Sequence, residues 1–210
     1  MSAGPDDPVL AEYARLAPRY DRRWSYYIGA TVRETLRRLD PAPGGRLLDI
    51  GCGTGALLRT LADADPGLRL AGVDPCPEML RVARGKLPAS VELRQAYAEG
   101  LPFADAAFDT VVCTNSFHFF RRPADALQEM RRVLRPGGRV VVTDWCDDFL
   151  TCRLCDLALR WLSRSHARTY RADECRRLLE EAGFGSVAVE RYKINWLWGL
   201  MTARGDRPSD

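Results

Sequence analysis

Asp49-Ile50-Gly51-Cys52-Gly53-Thr54-Gly55 places three glycines at alternate positions directly behind a carboxylate. Glycines so spaced permit a tight turn and let a ligand lie against bare backbone. Asp74 follows 19 residues after Gly55. A carboxylate at the end of the next strand can accept hydrogen bonds from both hydroxyls of a ribose. The pattern points to a nucleoside-bearing ligand, and two classes share it. Gly51-x-Gly53-x-x-Ala56 satisfies the dinucleotide fingerprint and admits a nicotinamide-dependent oxidoreductase, NAD or NADP. Asp49 argues the other way, because its charge repels a pyrophosphate and suits an ammonium. Gly55 extends the glycine alternation and flattens the loop for a bulky sulfonium-linked group.

Other residues offer further chemistry. His118, in the run Thr114-Asn115-Ser116-Phe117-His118-Phe119-Phe120, is the candidate general base. Its bland alternative is a packed histidine bonded to backbone. His166 reads as a surface histidine or a substrate contact. Asp144, Asp147 and Asp148 could orient a polar substrate or could be solvated loop acids. Cys152 and Cys155 form a C-x-x-C, which with Cys146 could hold a soft metal or metalloid. No second such pair completes four zinc ligands, so small buried thiols are the default and no metal site is expected.

The elements that must position these groups follow from periodicity. Residues 9–17 and 26–39 read as helices, and the run 41–45, PAPGG, stops the second. Short apolar runs at 46–50, 68–74, 108–114 and 139–145, and 90–96 with its alternating apolar residues, read as strands. Between them, 56–65, 77–87 and 123–134 read as helices, the last ended by the Arg-Pro-Gly-Gly at 135–138. Strands apolar throughout and alternating with helices imply a doubly wound, mainly parallel sheet covered on both faces. Residues 147–170 read as a helical insertion and 172–184 as a helix. Two closely spaced strands, 186–192 and 194–203, imply an antiparallel hairpin that closes one sheet edge, a feature not expected of a simple dinucleotide half-fold. The tail after 204 is expected to fray.

Length and composition narrow the class. With 210 residues, the chain suits one domain. Apolar residues at 46% and charged residues at 28% exclude disorder for its body. Neither a membrane span nor a signal segment is evident, so a cytoplasmic protein is expected. Net charge is +3, from 31 basic and 28 acidic residues, too balanced to argue for nucleic acid. The seven cysteines, an odd number, do not suggest a disulfide framework.

Four segments together resemble the class I S-adenosylmethionine-dependent methyltransferases, in the small-molecule subgroup called type 11. They are LLDIGCGTG, GVDPCPEML, AEGLPFADAAFDTVV and LRPGGRVVV, in family order and spacing across residues 46–145. The resemblance implies a Rossmann-like, seven-stranded sheet and S-adenosyl-L-methionine as cofactor. It assigns Gly51, Cys52, Gly53 and Gly55 to the cofactor's methionine part, with Asp49 nearby. It gives Asp74 the ribose, sets Pro75 and Met79 beside the adenine, and puts Ala98 and Glu99 at the adenine edge. Cys113, Thr114 and Asn115 would form the floor. Tyr97 departs from the aspartate often found there, leaving looser adenine binding or ring stacking as alternatives. The segment 13–24 resembles a lid ending in Tyr-Asp, whose Tyr20 would reach over the cofactor; a core tyrosine is the alternative.

The resulting expectation is one domain over 1–210. Residues 1–40 would be a helical lid, 46–145 the cofactor core, 146–170 a substrate cap, and 171–204 a helix and the closing hairpin. Tyr26, Tyr27, Trp145, Phe149, Leu150, Trp161 and Tyr170 suggest a small hydrophobic or amphipathic acceptor. The absence of an Asn/Asp-Pro-Pro-aromatic run after the fourth strand disfavours nucleic-acid bases. The acceptor, the atom methylated and the oligomeric state are left open. A metalloid-handling methyltransferase built on the thiols stands as a second alternative.

Overall fold

The computed structural model describes residues 8–154 and 168–209. Its helices are α1 (Pro8–Leu16), α2 (Tyr20–Leu39), α3 (Ala56–Ala64), α4 (Pro77–Arg84), α5 (Pro123–Val133) and α6 (Ala172–Glu181). Its strands are β1 (Arg46–Ile50), β2 (Arg69–Asp74), β3 (Glu92–Gln95), β4 (Phe108–Thr114), β5 (Leu134–Trp145), β6 (Gly185–Lys193) and β7 (Gly199–Asp206). They form one seven-stranded sheet in the order β3-β2-β1-β4-β5-β7-β6. The first five strands are parallel, and β7 lies antiparallel between β5 and β6. This is the class I methyltransferase architecture expected from the sequence.

Alternation along the strands gives each face its core. Leu48, Ile50, Val73, Val111 and Val142 pack with α5 and α6 residues such as Leu127, Met130 and Leu179. Leu47, Leu70, Val112 and Val141 point the other way, against Leu39 of α2 and Leu57, Leu58 and Leu61 of α3. Strand order reverses between β1 and β4, so a crevice opens at their carboxyl ends, where ligands bind in this architecture.

Several boundaries differ from expectation: α2 begins at Tyr20, not at 26, α4 ends at Arg84, and β3 shrinks to Glu92–Gln95. The second hairpin strand begins at Gly199, not at 194. Asn195 turns the chain first: its side-chain oxygen accepts the N–H groups of Leu197 (2.9 Å) and Trp198 (2.7 Å). The segment 135–138 is absorbed into β5. Leu134 already pairs with Phe108, the register then shifts, and regular pairing resumes at Arg139. The tail is not frayed up to 207. Arg207 exchanges backbone hydrogen bonds with Gly137 and Gly138, and its guanidinium reaches the carbonyls of Arg131, Arg132 and Leu134.

Candidate active site

The turn after β1 is built by two backbone bonds to one acceptor. Gly51 N–H (2.9 Å) and Cys52 N–H (3.0 Å) both donate to the Val73 carbonyl on β2. Gly51 has φ +70, and a Cβ there would collide with the Ser116 hydroxyl. Gly53, at φ +53, has nothing within 4 Å of a Cβ position, so the loop presents bare backbone to open space.

That space is a cavity of about 570 Å³. The structure brings Tyr20, Asp49, Gly51, Cys52, Gly53, Asp74, Pro75, Met79, Tyr97, Ala98, Glu99, Thr114 and Asn115 to its wall. Gly55 and His118 are not on it. Gly55 faces away, where a Cβ would press on Leu87 and Ala83, and it opens α3 in the left-handed region. Its glycine serves packing, not a flat ligand surface. Cys113 lies beneath the floor, with its sulfur 3.0 Å from the Ser116 hydroxyl. Ser116, which also donates to the Ile50 carbonyl (3.0 Å), escaped sequence reasoning, as did Tyr13, Thr31 and Phe119 on the wall. An alternating apolar pattern does not say which aromatic faces a cavity.

Two carboxylates dominate the electrostatics. Asp74, 8% exposed, accepts Gly53 N–H at 2.9 Å on one oxygen and Cys76 N–H at 2.8 Å on the other. Burial lifts its carboxyl to about 6, against the pull of those two N–H groups. Asp49, 2% exposed, has no hydrogen-bond donor among the described residues. Burial, then the charge of Asp74, pushes its carboxyl well above the ordinary range. A buried, unpartnered carboxylate on a cavity wall calls for a cationic donor from a ligand. Two such groups repel a pyrophosphate. This pair of acceptors therefore fits an adenosyl amino acid with an ammonium end.

His118 is not bonded to backbone through its ring. Its Nδ1 lies 2.8 Å from Asp144 Oδ1, and its N–H donates to Asp144 Oδ2 at 3.0 Å. Asp144, 1% exposed, also accepts Trp145 N–H at 2.7 Å. The carboxylate at Nδ1 fixes the ring's orientation and leaves Nε2 as the ring nitrogen not facing Asp144. The ring stacks near Trp145, with centroids 6.1 Å apart. The Trp145 indole N–H donates to the Tyr27 hydroxyl, which donates to Asn115 Oδ1 at 2.8 Å. Asn115 Nδ2 in turn donates to Thr31 at 2.9 Å. Asn115 on the cavity wall is thus tied to an aromatic group of Tyr27, Trp24, Trp145 and Trp198.

The thiols and the outer acids have structural partners. Asp148 is held low, despite burial, by the Ala172 N–H and by Arg171 and Arg191. Cys152 Sγ accepts Gly199 N–H at 3.2 Å. Burial pushes the Cys146 and Cys175 thiols up to about 12, so both stay protonated. Among the described residues no three His, Cys, Asp or Glu side chains could hold a metal. Cys155, Trp161 and His166 lie outside the described residues, as does most of the expected cap. No described helix is long and apolar enough to cross a membrane.

Residues 48–142 match the methyltransferase domain of the type 11 family. Over that segment, just under half of its length, this chain is similar to the methyltransferases of this family. It is 40% identical over 142 residues to a demethylmenaquinone methyltransferase of Thermus thermophilus, covering 63% of this chain and 64% of that one. The chain therefore spans a little under two thirds of that relative's length. Its fold is similar to a Thermotoga maritima S-adenosylmethionine-dependent methyltransferase (TM-score 0.79, 22% identity, 95% of this chain and 99% of that one). A Haemonchus contortus phosphoethanolamine methyltransferase in complex with S-adenosylhomocysteine is similar in fold too (TM-score 0.71, 19% identity, 84% and 52%).

Proposed function

We propose that this chain transfers a methyl group from S-adenosylmethionine to a small, apolar, ring-bearing acceptor of the quinol type. The observation that carries the cofactor is the pair Asp49 and Asp74 on one cavity wall, beside the bare backbone of Gly53. Asp74 takes the ribose: each oxygen holds one backbone N–H and keeps a second lone pair for a hydroxyl. Asp49 takes the ammonium. Pro75, Met79, Tyr97, Ala98 and Glu99 surround the adenine. When bound, the cofactor supplies a methyl carbon already activated by its sulfonium, so this chain mainly has to position the acceptor and exclude water. His118 Nε2, with its ring oriented by Asp144, takes the proton of an acceptor hydroxyl.

The acceptor class draws support from the Thermus relative's name and from the aromatic group joined to Asn115. A labelled-methyl assay with a reduced naphthoquinone tests it. Product is expected with wild type and is lost in Asp74→Asn. Label transfer only to amine acceptors would contradict the acceptor class.

A further inference from the structure

Resting on that cofactor reading, we propose that Asp21 is a positioning residue that latches the N-terminal segment onto the cofactor loop, with Trp24 as the hinge. Val9, Leu10, Tyr13 and Tyr20 line the cavity together with the loop at 51–54. That N-terminal part of the lining is seated by Ala17, which packs with Cys76 and Met79 at the start of α4. Regular helical geometry fails once inside α2, at Trp24 (φ −112, ψ 17). The chain after Trp24 is anchored in the core through Val32 and Leu39, and it too reaches the cavity at Ile28, Thr31 and Val32.

Asp21 makes one polar contact with the loop, at Thr54, and a second with Lys86 just beyond α4. One oxygen accepts the Thr54 hydroxyl, between Gly53 and Gly55, and the other accepts Lys86 Nζ. Thr54 is buried on the cavity wall, whereas Asp21 lies outside the lining. Both bonds run from protein to protein, so they form whether the cavity is full or empty. Breaking them lowers the barrier to opening in both directions and leaves the equilibrium little changed. A residue that bound the ligand directly would change affinity instead.

The test is surface plasmon resonance with S-adenosylhomocysteine on wild type, Asp21→Ala and Lys86→Met, with hydrogen exchange on the same proteins. Losing a charge-assisted bond predicts association and dissociation each faster by about tenfold in Asp21→Ala, with Kd within about threefold. Lys86→Met, which keeps the Thr54 bond, lies between the two. Exchange rises over residues 8–23 and not over 25–39. Rates unchanged in both variants, a Kd loss carried by dissociation alone, or exchange rising equally along α2 would overturn the latch. Failure of wild type to bind S-adenosylhomocysteine would instead overturn the cofactor reading beneath it.

Discussion

A carboxylate with its folded-state value raised to about 6, like Asp74, favours its protonated form in the folded chain. The unfolded value is about 3.9. Its contribution to stability is therefore full below about pH 4 and is lost as pH rises through 6. Ligand binding asks the opposite, since a charged Asp74 is the better acceptor for two hydroxyls. Affinity for S-adenosylhomocysteine should rise with pH through about 6, and that step should vanish in Asp74→Asn. Calorimetric titrations between pH 5 and 8 check it. His118→Ala and Asp144→Asn should lower kcat with a hydroxyl acceptor by about 10²–10⁴-fold, the usual range for a lost general base. Because neither residue lines the cavity that holds Asp49 and Asp74, affinity for S-adenosylhomocysteine should stay within about twofold.

At the scale of elements, the glycine turn and α2 give opposite outcomes for the same substitution. Gly51→Ala forces a Cβ onto Ser116 at positive φ, and should cost more than ~1 kcal/mol along with cofactor affinity. Gly29 sits inside α2 with nothing within 4 Å of a Cβ. Gly29→Ala should stabilise by about 0.5–1 kcal/mol, a few degrees in melting temperature. The core strands were legible because each is an apolar run whose two faces both meet helices. The run 194–198, Ile-Asn-Trp-Leu-Trp, was misread because its apolar residues look like strand while one side chain, Asn195, takes two N–H groups and makes a turn. The residues of the cavity wall around the glycine turn were legible as candidates because they cluster in short motifs. The Asp144 partner of His118 was not, because it lies 26 residues away on the next strand and meets the histidine only through the β4–β5 pairing.

The whole molecule is held at its far edge by contacts that bring the chain's end back to its middle. Arg207 supplies a donor to three carbonyls at the junction of α5 and β5. Arg207→Ala leaves those groups short of a donor and should cost about 1–3 kcal/mol in urea unfolding. Such a long-range closure has no local sequence signal, which is why the tail reads as frayed on composition alone. The same sheet places the glycine turn, Asp74 and the β4 end around one crevice.

Calorimetric titration of wild type with S-adenosylhomocysteine, beside NADH, tests the central claim most directly. The account predicts one site per chain for S-adenosylhomocysteine, weakened at least about tenfold in Asp74→Asn, and no heat with NADH. Binding of NADH with none of S-adenosylhomocysteine, or equal affinity in Asp74→Asn, would contradict it.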